Sequence, residues 1–103
     1  IALGDAAHGR LTVDAGAACA LVEHGSSLLP VGITAVDGAF DADAVLDICD
    51  PDGFVIARGL AGASSDELAL ASGRRQEELA GNRLLAALAE RPAVHRDNMI
   101  VFA

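Results

Sequence analysis

From Ala15 to His24 the chain reads Ala-Gly-Ala-Ala-Cys-Ala-Leu-Val-Glu-His, a run with hardly any polar face. Alanine is the strongest helix former, so a helix is expected here. A helix that is apolar all round is normally buried, and side chains this small imply close backbone approach on several sides. Asp14 stands where an N-cap carboxylate accepts from free amide groups, and Gly25 stands where a left-handed C-cap is least strained. Ahead of the helix, Arg10 to Val13 is apolar and β-branched, as in a short strand. The opening therefore predicts a strand, then a buried helix around which the remaining segments wrap.

Those segments are mostly extended. Ile33-Thr34-Ala35-Val36 alternates like a strand and Gly38 ends it. Ala44 to Cys49 and Phe54 to Ala57 flank Asp50-Pro51-Asp52-Gly53, where proline pre-sets the first corner and glycine accepts a positive φ; residues 44–60 thus form a hairpin. Beyond Leu60 the period lengthens. Ser64-Ser65-Asp66-Glu67 carries a capping box ahead of Leu68 and Leu70, starting a short helix that Gly73 ends. Arg75 to Arg91 is a second helical stretch with Gly81, Leu84, Leu85 and Leu88 on one stripe, Gly81-Asn82 as its point of division, and Pro92 as a stop. Ala93-Val94-His95 and Met99-Ile100-Val101-Phe102 close the chain as extended pieces. This order predicts a mixed α+β, mainly β domain: a small pseudo-barrel with a buried N-terminal helix and a helical insertion before the closing strands.

Composition narrows the function. A chain of 103 residues suits one domain, and 52% hydrophobic residues are too many for a disordered tail. No apolar run is long enough for a membrane helix, and nothing basic precedes an apolar stretch near Ile1 as in a signal peptide. A start at Ile1 fits a domain excised from a longer protein, with residues 1–9 as connector and 10–103 as the domain. The formal net charge is −8, and all seven basic residues are arginine. The missing lysine removes P-loop, protein-kinase and Schiff-base chemistry. Phosphate contacts provide most non-specific nucleic-acid affinity, so an acidic domain starts with that contribution against it. With Tyr and Trp absent, only Phe40, Phe54 and Phe102 are available to stack on a base. Cys19 and Cys49 form no CxxC pair and sit among apolar neighbours, so both are expected to be buried small hydrophobes in a reducing cytoplasm.

Other signals have ordinary explanations. His95-Arg96-Asp97 imitates a kinase catalytic loop but lacks the metal-binding asparagine at the required spacing; a turn held by local hydrogen bonds is expected. Asp37, Asp41, Asp43, Asp47, Asp50 and Asp52 fit no calcium-loop register and read as solvated strand edges and turns. His8 and His24 look isolated on the surface. Ser64-Ser65 is explained by capping. No catalytic residue, metal ligand or cofactor-binding residue is assigned.

The segments Gly9-Arg10-Leu11-Thr12-Val13-Asp14-Ala15-Gly16-Ala17 and Gly25-Ser26-Ser27-Leu28-Leu29-Pro30-Val31-Gly32-Ile33 resemble the PUA domain that follows the kinase domain of bacterial glutamate 5-kinases. Val36-Asp37-Gly38-Ala39-Phe40, Asp50-Pro51-Asp52-Gly53, Ala57-Arg58-Gly59-Leu60 and the closing Val94-His95-Arg96-Asp97-Asn98-Met99-Ile100-Val101 continue the similarity in order. The chain departs from the family at Asp43-Ala44, where Gly-Asp is usual, at Gly62-Ala63, where Asn-Tyr is usual, and through most of 73–92. The resemblance implies a non-catalytic accessory domain that modulates assembly or feedback of an ATP- and magnesium-dependent glutamate kinase opening proline biosynthesis. Its partners would be its own kinase domain and other subunits, with no cofactor of its own. The alternative it implies is an RNA-binding module acting in trans. In PUA domains that bind RNA the groove beside the first helix makes the contact, which would place Arg10, Ser26, Ser27 and Gly32 near it.

Overall fold

The computed structural model describes residues 7–83, 85–89 and 91–102. In chain order it forms β1 (Gly9–Val13), α1 (Ala15–His24), a 3-10 turn (Pro30–Gly32), β2 (Ile33–Asp37), β3 (Val45–Cys49), β4 (Val55–Leu60), α2 (Ser65–Ala71), α3 (Gln76–Ala80), α4 (Ala86–Ala89), a second 3-10 turn (Arg96–Asn98) and β5 (Met99–Val101). The strands make one mixed sheet of five, ordered β2-β1-β3-β4-β5. β1 pairs antiparallel with β2 and parallel with β3, and the remaining pairs are antiparallel. The sheet is open, with β2 and β5 at its edges.

Strand alternation sets the two faces. Leu11 and Val13 of β1, Leu46 and Ile48 of β3 and Ala57 of β4 are completely buried. They join Leu21 of α1, Leu68 of α2, Leu79 of α3, Leu85, and Leu88 of α4 in one core. The opposite face carries a row of charge. Arg10 stands in register with Asp37 on one side and Asp47 on the other, and Asp47 with Arg58. Cross-strand neighbours of opposite sign are favourable, and Arg58 Nε donates to Asp47 Oδ1 at 2.8 Å.

The helix ends follow local chemistry. Asp14 Oδ1 accepts from the Ala17 amide at 2.7 Å, and Gly25 closes α1 at φ 60°. Ser64 and Glu67 form the reciprocal capping box of α2. The hairpin turn is held by Asp50 Oδ1, which accepts from the Asp52 and Phe54 amides at 3.0 and 2.9 Å.

Several expectations are corrected. Helix α1 is not enclosed: Leu21 is its one buried residue, and Ala15, Gly16, Cys19, Val22, Glu23 and His24 are exposed. Its alanines serve helix propensity, and only the side bearing Ala17, Ala18 and Leu21 reaches the core. The stretch 75–91 is not continuous. α3 ends at Gly81, whose amide donates to Glu77 O at 3.2 Å, and α4 starts only at Ala86. Leu85 and Leu88 of the predicted stripe are buried as expected, Gly81 is exposed, and Leu84 lies outside the described residues. Ala93–His95 is not a strand but makes a single antiparallel bridge, Leu28 to Val94. Most of the presumed connector, residues 1–6, also lies outside the described residues, and Gly9 already belongs to β1.

Two of the three departures from the family pattern, those at Asp43 and Gly62, fall where backbone geometry is demanding. Asp43 has φ 71°, the left-handed region that glycine enters without strain. At Gly62 the amide donates to Ala93 O at 2.7 Å, and a Cβ would lie 2.6 Å from Pro92 O. Only glycine permits the second contact. At the first, aspartate tolerates a conformation that costs an ordinary residue roughly 1–2 kcal/mol. Asp43→Val is therefore expected to lower stability in urea unfolding by about 1 kcal/mol, and Asp43→Gly to leave it nearly unchanged, since the strain relieved is offset by glycine's own entropy cost.

Candidate functional site

The loop from Gly25 to Gly32 is short and polar at its start, yet the backbone fastens it on three sides. The Leu28 amide donates to Val94 O at 2.9 Å, and the Ala93 amide returns to Leu28 O at 2.7 Å. Ser27 Oγ accepts from the Arg96 amide at 2.9 Å. Gly32 O accepts from Asp14 at the start of α1, and Pro30 O accepts from Gly73 beyond α2, both at 2.9 Å. Leu28 is buried beneath this stitching while Leu29 and Val31 are 55% and 44% exposed. Gly32 lies so close to α1 that a Cβ on it would stand 2.6 Å from Ala17 Cβ. This contact sets the spacing between helix and loop.

Two clefts flank the Leu29–Val31 ridge, which lines both. The first, about 340 Å³, is lined by Asp14, Gly16, Ala17, Ala20, Ser26, Ser27 and Gly32 as well as the ridge. No basic side chain lines it, and its one ionisable group, Asp14, already caps α1. The second, about 470 Å³, is lined by Leu79, Leu88 and Pro92 together with Arg74, Arg75, Arg91 and one acidic residue, Glu77. The Arg74 Nε donates to Leu70 O at 2.6 Å. Neither Arg75 nor Arg91 forms an ion pair among the described residues.

Ser26, Ser27 and Gly32, which the resemblance grouped, line the first cleft. Arg10 does not join them. It lies in a separate shallow depression with His8, Asp37 and Asp47, in the charge row of the sheet. Of the phenylalanines, Phe40 is a core residue, whereas Phe54 and Phe102 are 70% and 56% exposed and line neither cleft flanking the ridge. Sequence reading missed the arginine-rimmed cleft altogether. The run Arg74-Arg75 was a visible signal, but its approach to Arg91 depends on the break between α3 and α4.

The remaining motifs divide. His95-Arg96-Asp97 is a turn, with His95 Nδ1 accepting from the Asp97 amide at 3.0 Å. Cys49 is buried as expected, and desolvation pushes its thiol pKa upward. Cys19 is instead exposed, and its thiol donates to Glu23 Oε2 at 3.0 Å, because α1 turns this side outward. That hydrogen bond, and then the carboxylate charge, push its pKa upward too. Nor is His24 isolated, for it stands beside Cys19 and Glu23 at the end of α1.

An open mixed sheet whose first helix leads into a loop pinned to the C-terminal segment defines a small α+β domain with a cleft beside α1. The chain belongs to the PUA domain family, whose pattern matches residues 9–81. It is similar to glutamate 5-kinases, as its opening, loop and closing segments suggested. It is 48% identical over 93 residues to that of Trichlorobacter lovleyi, covering 90% of this chain and 24% of the relative. It is 46% identical over 99 residues to that of a Synechococcus strain, covering 96% and 26%. The chain therefore spans about a quarter of the length of these relatives. Among solved structures, a PUA domain of Aeropyrum pernix, crystallised as a tartrate complex, aligns with TM-score 0.63 and 27% identity over 86% of this chain and 41% of that one.

Two outcomes follow. Gly32→Ala should cost about 1–3 kcal/mol in urea unfolding, through overpacking against Ala17, with part recovered by adding Ala17→Gly. A thiol reagent should label one cysteine of the native chain, identified as Cys19 by peptide mapping, and reach Cys49 only after unfolding.

Proposed function

We propose that this chain is a non-catalytic accessory module of a glutamate 5-kinase and meets the rest of that enzyme through the Leu29–Val31 ridge and its arginine-rimmed cleft. On this reading ATP and magnesium belong to a kinase domain outside this chain, in the cytoplasm, and the module influences assembly or feedback by proline. The observation that carries the reading is the distribution of charge around the ridge. In a chain of net charge −8, Arg74, Arg75 and Arg91 gather beside exposed aliphatic side chains with one carboxylate, Glu77, among them. Charge at the rim and apolar surface at the centre suit a protein interface. The neighbouring cleft, formed by Ser26, Ser27 and Gly32, has no basic side chain to meet a phosphate. That weighs against RNA as its occupant. The similarity to glutamate 5-kinases over nearly the whole chain supports the choice of enzyme.

In the full-length enzyme, Leu29→Asp combined with Arg91→Glu should change the oligomer mass or shift the proline concentration for half-inhibition by fivefold or more. Both side chains are exposed, so the fold should survive. Unchanged mass and unchanged inhibition would remove the accessory reading. A fluorescence-anisotropy titration with structured RNA at low salt serves as the counter-test. Weak binding is expected; submicromolar binding that falls steeply with salt would favour the RNA-module reading instead.

A further inference from the structure

On the outward side of α1, Cys19, Glu23 and His24 each present a metal-ligating atom, and these atoms lie within 4.8 Å of one another. We propose that this triad is a binding site for a divalent transition metal of the zinc class.

The helix makes the arrangement. Residues four apart on a helix are surface neighbours, and Cys19 and Glu23 already touch through the 3.0 Å hydrogen bond. His24, one residue on, is the last residue of α1 and also exposed. Zinc–sulfur and zinc–nitrogen bonds of about 2.3 and 2.0–2.1 Å place tetrahedral ligand atoms about 3.3–3.7 Å apart. Closing the triad thus takes side-chain movements of up to about 1.5 Å, which exposed side chains make freely.

The donors select the ion. A thiolate and an imidazole are too soft for magnesium or calcium, which take oxygen shells, and a carboxylate completes a set suited to zinc, cobalt or nickel. The location adds to the attraction. A helix C-terminus carries a partial negative charge, and the chain as a whole has net charge −8. On binding, the Cys19 S–H bond breaks, the proton leaves to solvent, and the sulfur lone pair forms the metal bond. Glu23 exchanges its hydrogen bond to that thiol for a metal–oxygen bond, and His24 binds as neutral imidazole. Water fills the fourth position. Cys49 takes no part, being buried in β3.

The site is tested by titrating the reduced chain with cobalt(II) alone and following the near-ultraviolet thiolate-to-cobalt charge-transfer band. One cobalt per chain should produce the band, and zinc should then displace it. Cys19→Ser should abolish it, Cys49→Ser should leave it intact, and Glu23→Gln and His24→Ala should each weaken binding by about tenfold or more. An unchanged far-ultraviolet CD spectrum in the three site variants checks that α1 still forms. No band at millimolar cobalt, a band that survives Cys19→Ser, or unchanged affinity in both Glu23→Gln and His24→Ala would each overturn the assignment.

Discussion

Everything else in this domain depends on β1 being hydrogen-bonded on both sides, antiparallel to β2 and parallel to β3. A parallel pair needs a crossover connection. Between β1 and β3 the chain therefore has to leave the sheet, form α1, pass through the Gly25–Gly32 loop and return as β2. The two inward side chains of β1, Leu11 and Val13, are completely buried. The position of α1 and of its loop follows from that crossover, and the clefts follow from the loop.

The same crossover separates the charges from the candidate site. Strand alternation sends Arg10 to the solvent face, between Asp37 and Asp47, while the loop residues Ser26, Ser27 and Gly32 lie beside α1. The cleft next to α1 is left small-walled and without a cation. Arg74, Arg75 and Arg91 collect on the far side of the ridge, beside α3 and the end of α4. One exposed aliphatic ridge thus separates two surfaces of different chemistry, and the difference bears directly on which partner this domain can accept.

Local chemistry was legible in the sequence and long-range geometry was not. Asp14, Gly25, Ser64, Glu67 and Gly53 act within a few residues of themselves, and each does what its type and spacing suggested. The five strands were visible through alternation and their bounding turns, and three of the four candidate site residues do share one cleft. The burial of α1 was misjudged because alanine marks helix propensity as readily as close packing, and the sequence does not say which. Arg10, grouped with Ser26, Ser27 and Gly32 by the resemblance, lies apart from their cleft because β-register turns it to the charged face of the sheet. The cluster of Cys19, Glu23 and His24 was overlooked for a related reason. Once the helix was taken as enclosed, an exposed thiol at helical spacing from a carboxylate had no place in the picture. The arginine-rimmed cleft depends on the interruption between α3 and α4, which only Gly81-Asn82 hinted at.

The central claim is that the loop beside α1 belongs to the same cooperative unit as the sheet, through the Leu28–Val94 bridge. Native-state amide hydrogen exchange tests it most directly. The claim predicts that the amides of Leu28, Ala93 and Val94 exchange as slowly as those of β1 and β3, opening only with global unfolding. Exchange at these three that is orders of magnitude faster, while β1 and β3 stay protected, would contradict it and detach the loop from the fold that was said to build it.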